Sequence, residues 1–126
     1  MANTPTDWVG AAMQVAQAVQ NHSADEGILF CWSGTGVSIA ANKFAGIRAA
    51  LCEDAETAQG ARLWNNANVL CLSLRRLRRL RRLTSARTQE ILTRWFATHY
   101  QPNPSDDASL AALAQLDTPS QPKPHE

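Results

Sequence analysis

Apolar positions along the chain follow two rhythms. Trp8, Ala11, Ala12, Val15, Ala16 and Val19 recur every three or four residues, the period of a helix with one buried face. Asp7 stands where an N-cap is expected, so a helix is predicted over 7–21. After a polar connection at 23–26, Gly27-Ile28-Leu29-Phe30 is an unbroken apolar run ending on Cys31, the pattern of a short buried strand. The small residues Ser33-Gly34-Thr35-Gly36 predict a turn, and a helix is expected over 37–44, stopped near Gly46. A second strand is predicted at 47–52. Asp54, or Glu53 beside it, starts a helix reaching about Trp64 that Asn65-Asn66 breaks, and a third strand follows at 69–72. Ile91, Leu92, Trp95 and Phe96 mark one face of a helix over 85–98, which Pro102 and Pro104 end. A short amphipathic helix at 106–116 precedes a Pro-rich, frayed tail at 118–126.

The order α-β-α-β-α-β-α-α, with apolar strands between helices, predicts an α/β fold: a parallel sheet covered on both faces. Three strands are few for such a sheet. The 126 residues suffice for one domain, placed here over 1–117, and 44% apolar residues supply a modest core. No run of 18 apolar residues occurs, so no membrane span is expected, and the first residues lack the basic and apolar regions of a secretory signal. Cys31, Cys52 and Cys71 are odd in number, and each closes or nearly closes an apolar run. They read as buried, reduced thiols, which suits a cytoplasmic setting.

The net charge of +1 conceals an asymmetry. Six arginines fall between Arg75 and Arg82, leaving 6 basic against 11 acidic residues elsewhere, a balance of −5. Leu74, Leu77, Leu80 and Leu83 recur every third residue. On a helix each step falls about 60° short of a full turn, so they spread over half the surface and form no narrow seam. The block reads as a solvated, repeat-expanded loop or helix extension. Its alternatives are docking to nucleic acid, an acidic partner or anionic lipid, or a grip on phosphate.

The segment 27–43 carries the chemistry. A strand that breaks into a Gly-rich turn at a helix start gathers free backbone N–H groups around one point, and Cys31 sits at its edge. Taken alone, Cys31 reads first as a structural thiol at a strand end and 33–36 as a simple turn. The pattern lacks the Gly-x-Gly-x-x-Gly motif and the P-loop lysine, which argues against a nucleotide. Cys52 and Cys71 read as core, His22 and His99 as lone histidines at helix ends, Trp8 and Trp95 as core or interface aromatics. No cluster has metal-ligand spacing.

GILFCWSGTGVSIAANKFAGIRAALC (27–52) and WNNANVL (64–70) resemble the ribose-5-phosphate isomerase B / galactose-6-phosphate isomerase family. The resemblance implies a three-layer, Rossmann-like fold with a shortened sheet. It also implies interconversion of aldose and ketose phosphates through an enediolate, as in pentose phosphate and other carbohydrate metabolism. By position, Cys31 matches the proton-transfer base and Ser33 a neighbouring hydroxyl residue. The amides of Gly34, Thr35, Gly36 and Val37 match an anion hole, and Asn65 matches a sugar-contacting asparagine. A free thiol of pKa ~8.5 is a poor base at neutral pH, and a helix start lowers that value. No cofactor or metal is implied. The substrate is a sugar phosphate, and the assembly is a homodimer or larger with sites shared between subunits.

The departures are also specific. The family's first strand, ending in Asp-His, its helix and the next strand have no counterpart, so a truncated member is expected. Trp64 stands where many members have histidine. Residues 102–117 hold no Arg, Lys or His for phosphate, and LRRLRRLRRL (74–83) reads as an insertion. The rival expectation is a non-catalytic, truncated isomerase-like domain that binds or assembles through an exposed apolar sheet edge. A third makes the basic repeat a docking module.

Overall fold

The computed structural model describes residues 7–75 and 84–117. The elements run α1 (Trp8–Gln20), β1 (Gly27–Cys31), α2 (Thr35–Ala41), β2 (Ala49–Leu51), α3 (Ala55–Asn65), β3 (Val69–Ser73), α4 (Thr84–Ala97) and α5 (Pro104–Gln115). The three strands form a parallel sheet in the order β1-β3-β2, with Gly27 opposite Val69, Cys31 opposite Ser73 and Ala49 opposite Val69. The expected α/β architecture is present.

Local chemistry fixes the helix ends. Asp7 Oδ1 accepts from the Gly10 amide at 2.6 Å, and Asp54 Oδ1 from the Thr57 amide at 2.7 Å. At the end of α3, Asn66 turns left-handed (φ 47°) and its amide donates to the Ala61 carbonyl.

β3 is central and buried throughout, because its alternating side chains enter two separate cores. Val69 and Cys71 face α1 and α2, meeting Ala12, Ala16, Val19, Val37 and Ala41. Leu70 and Leu72 face α3 and α4, meeting Ala58, Ala61, Ile91 and Trp95. Close packing explains Gly27: a Cβ there would lie 2.2 Å from Val15 Cγ1. β1 forms one edge of the sheet among the described residues, and Phe30 within it and Trp32 just after it are 48% and 55% exposed.

Side chains tie the N-terminal end of the sheet together. Asn42 clamps Ala49 twice, accepting its N–H at 2.8 Å and donating to its carbonyl at 3.0 Å. Asn68 accepts the Arg48 amide at 2.7 Å and donates to the Gly46 carbonyl at 2.8 Å. Arg62 is buried. Its guanidinium donates to the Thr98 and Ala67 carbonyls at 3.1 and 2.8 Å and pairs with Glu26, whose other oxygen accepts Trp95 Nε1 at 3.3 Å.

Several details differ from the sequence reading. β2 is three residues, not six. Ile47 is buried before it, and the Arg48 amide bonds the Asn68 side chain instead of a strand neighbour. α2 begins at Thr35, not Val37, because Gly34 (φ 79°) is its N-cap. Pro104 does not merely end the preceding helix. It opens α5, where its missing N–H costs nothing, and Asn103 caps it by accepting the Asp106 amide at 2.9 Å. α5 is not amphipathic and buries no side chain, and it is followed by Asp117, which accepts the Gly46 amide at 2.8 Å. Of the two tryptophans read as core or interface, Trp95 is core and Trp8 is 49% exposed.

Of the basic repeat, Leu74 and Arg75 are exposed at a helical turn directly after β3. The rest of the repeat, 76–83, and the tail at 118–126 lie outside the described residues. Among the described residues no helix is long and apolar enough to cross a membrane.

Candidate active site

β1 delivers Cys31 to the C-terminal end of the sheet. The chain then crosses the end of β3 through Trp32-Ser33-Gly34 before entering α2. Two bonds hold the crossing: the Trp32 carbonyl accepts Ser73 Oγ at 3.0 Å and the Arg75 amide at 2.8 Å. Gly34 is required twice over. Its φ of 79° lies in the left-handed region. A Cβ there would also stand 2.4 Å from Leu51 Cδ1 and 3.2 Å from the Ser73 amide nitrogen. The Trp8 indole packs on Gly36, where a Cβ would lie 2.9 Å from Trp8 Cε3.

This fold wraps the half-buried Cys31 sulfur in donors. Desolvation pushes its pKa up. The backbone N–H groups of Gly34, Ser33 and Val37 and the Ser33 hydroxyl outweigh that, so the thiol ionises below its ordinary value of 9.0. The other two cysteines go the opposite way. Burial, with Asp54 nearby, pushes Cys52 up to about 12. Burial, with Cys52 and Cys31 nearby, pushes Cys71 up to about 12. Cys31 is therefore the most readily ionised of the three thiols, and it sits beside a cluster of backbone amides.

The structure brings together Cys31, Ser33, Gly34 and Val37 on one loop, with Thr35 and Gly36 opening α2 within it. It does not bring Asn65 to them. Asn65 ends α3, with three residues between it and the start of β3, whereas Cys31 pairs with Ser73 where β3 finishes. At about 3.3 Å per residue, the length of β3 alone places them on the order of 13 Å apart within one chain. Asn65 is exposed, as is neighbouring Trp64, whose ring folds back over Gly60.

Three contributors were not read as such from the sequence. Ser73 fastens the Trp32 carbonyl, Trp8 covers Gly36, and the Thr35 hydroxyl lies 2.8 Å from Ser33 Oγ. The readable signal was the glycine at 36, which marks a close approach of some large side chain. A cleft of about 580 Å³ at the N-terminal end of the sheet is a poorer candidate. Its Arg48 and Arg62 guanidiniums are already bonded to backbone carbonyls and share the space with Asp25 and Glu26.

A ribose/galactose isomerase family model matches residues 1–112. Ribose-5-phosphate isomerase B of Escherichia coli is 51% identical over 70 residues, 56% of this chain and 47% of that protein. D-erythrulose-4-phosphate isomerase 2 of Mycolicibacterium smegmatis is 43% identical over 70 residues, 56% of this chain and 46% of that protein. The chain thus spans about half the length of the curated relatives it matches. The structure of Clostridium thermocellum ribose-5-phosphate isomerase B superposes with a TM-score of 0.81 at 30% identity, covering 92% of this chain and 74% of that one. With a family model matched over nearly its whole length and a shared sheet, the chain belongs to the ribose/galactose isomerase family.

Proposed function

We propose that the protein is an aldose–ketose isomerase of sugar phosphates, working through an enediolate. The observation that carries this is the Cys31 thiol, held below its ordinary pKa by the loop that also presents the oxyanion donors. The thiolate takes the proton from the carbon beside the substrate carbonyl. The electron pair moves onto the carbonyl oxygen, where the amides of Gly34, Thr35, Gly36 and Val37 and the Ser33 hydroxyl stabilise it. Protonated Cys31 then returns the proton to the former carbonyl carbon, while the adjacent hydroxyl proton passes to the oxyanion and leaves the carbonyl one carbon along. Ribose 5-phosphate and ribulose 5-phosphate are the first pair to test. D-erythrulose 4-phosphate is the second, given the name of the Mycolicibacterium relative.

Asn65 contacts the sugar from a second copy of the chain, because it lies at the far end of the sheet from its own Cys31. A homodimer follows from this reading, as does a reducing cytoplasmic setting for the three free thiols. The test is exchange between ribose 5-phosphate and ribulose 5-phosphate by the purified protein and by Cys31→Ala. Activity in the parent and its loss in the variant is the expected result. No activity, or equal activity in both, overturns the reading.

The exposed Phe30 and Trp32 beside edge strand β1 favour a second reading, a non-catalytic assembly module that pairs along that edge. Self-association lost in Phe30→Lys, with no isomerase activity in the parent, is the result that selects it.

A further inference from the structure

α1 and α2 lie side by side on one face of the sheet. The Trp8 indole rests on Gly36, which sets the first turns of the two helices level. Val9 and Met13 follow one turn apart and share a stripe of α1. Gln20 stands on the same stripe, and its amide donates to the Ala45 carbonyl at 2.8 Å just beyond α2, so the stripe borders α2. Ile39 stands one turn beyond Gly36. Trp8, Val9, Met13 and Ile39 are all 41–61% exposed.

Although 18% of the chain is charged, α1 and α2 contain no ionisable side chain. The centres of protein interfaces are depleted of charge in this way and enriched in tryptophan and methionine. A helix lying on a membrane needs a basic flank, whereas the polar positions of α1 are Gln14, Gln17 and Gln20. The bordering charges stand at opposite ends. Asp7 caps α1 at the C-terminal end of the sheet, and exposed Lys43 follows α2 toward the other end. A two-fold axis across the helices brings each Asp7 to the Lys43 of a second copy, while a parallel arrangement sets like charges together.

We propose that the outer face of α1 and α2 is a self-association surface. Two copies pack antiparallel across it, with Trp8, Val9, Met13 and Ile39 at the apolar centre and each Asp7 facing the second copy's Lys43. The antiparallel sense also sets the Asn65 end of one copy alongside the Cys31 end of the other, but the surface does not depend on isomerase chemistry.

Sedimentation velocity over a range of protein concentrations reads the assembly, and the parent is expected to dimerise reversibly. Ile39→Lys is expected to weaken the dimer at least about tenfold, because its charge loses water at the centre of the interface. Met13→Lys probes the same face from α1, and circular dichroism checks that each variant folds. Lys43→Glu is expected to weaken the dimer roughly two- to fivefold by facing Asp7. Asp7→Asn, which still caps α1, is expected to recover part of that loss in the Lys43→Glu background. Carbodiimide treatment of mixed labelled and unlabelled protein is expected to join Asp7 of one copy to Lys43 of the other. A monomeric parent, vesicle binding in place of self-association, or a dimer that Ile39→Lys and Met13→Lys leave intact while Phe30→Lys abolishes it overturns the proposal. Absent isomerase activity in a dimer with the expected pattern counts against the catalytic reading alone.

Discussion

The Arg62 guanidinium carbon lies 4.9 Å from the centroid of the Trp95 ring, so a cation is stacked on the largest buried side chain of the core. Two backbone carbonyls and Glu26 complete its surroundings. The assembly joins α3, α4 and the turn before β1. Arg62→Met is expected to cost about 3–5 kcal/mol, because Glu26 loses its cation while the Thr98 and Ala67 carbonyls lose their donor. Chemical denaturation checks this, and a loss under 1 kcal/mol contradicts it.

Gly34 carries both a backbone and a packing requirement. Gly34→Ala is expected to lose about 1–3 kcal/mol of stability and to weaken the donors around Cys31. Trimming Leu51 to alanine removes one clash but leaves the left-handed φ and the close Ser73 amide. Denaturation of Gly34→Ala with and without Leu51→Ala separates these, and full rescue by the second change argues against the backbone term.

The Cys31 titration has a defined sign. Its pKa is depressed in the fold, so the stability it contributes is present above the ordinary thiol value and is lost as pH falls through the lowered one. Alkylation of Cys31 and isomerisation are both expected to rise with pH along a limb whose midpoint lies below 9.0. A midpoint at or above that value removes the basis for Cys31 as the base.

Cys52 and Cys71 give the opposite dependence. Their folded values of about 12 exceed the ordinary 9.0, so the unfolded chain releases protons first as pH rises. Stability is expected to fall above pH 9, by up to about 1.4 kcal/mol per thiol for each pH unit until near 12. Denaturation at pH 8, 9.5 and 10.5, comparing the parent with Cys71→Ala, measures the share of one thiol. Identical slopes for the two proteins refute it.

Much of the fold was legible because its signals are local. Asp7 and Asp54 announce helix starts by chemistry confined to three residues, and the continuous apolar run at 69–72 announces a strand buried on both faces. The strand order β1-β3-β2 was not legible, since periodicity describes each segment without its neighbours. Pro104 was misread because proline both ends one helix and suits the first position of the next. Arg62 was not singled out, because its partners are 36 residues away on either side, at Glu26 and Thr98. Within the site, Cys31 and its turn were readable as one contiguous motif. The separation of Asn65 from Cys31 was not, because a shared family pattern carries no distance.

That separation has a genetic consequence. If each complete site draws Cys31 from one copy and Asn65 from another, the two defects complement. Cys31→Ala and Asn65→Ala, each inactive alone, regain function when unfolded and refolded together, because one of the two sites in every mixed pair inherits both intact residues. Equal mixing then yields about a quarter of the parent activity, and two harmful alleles in one cell mask each other.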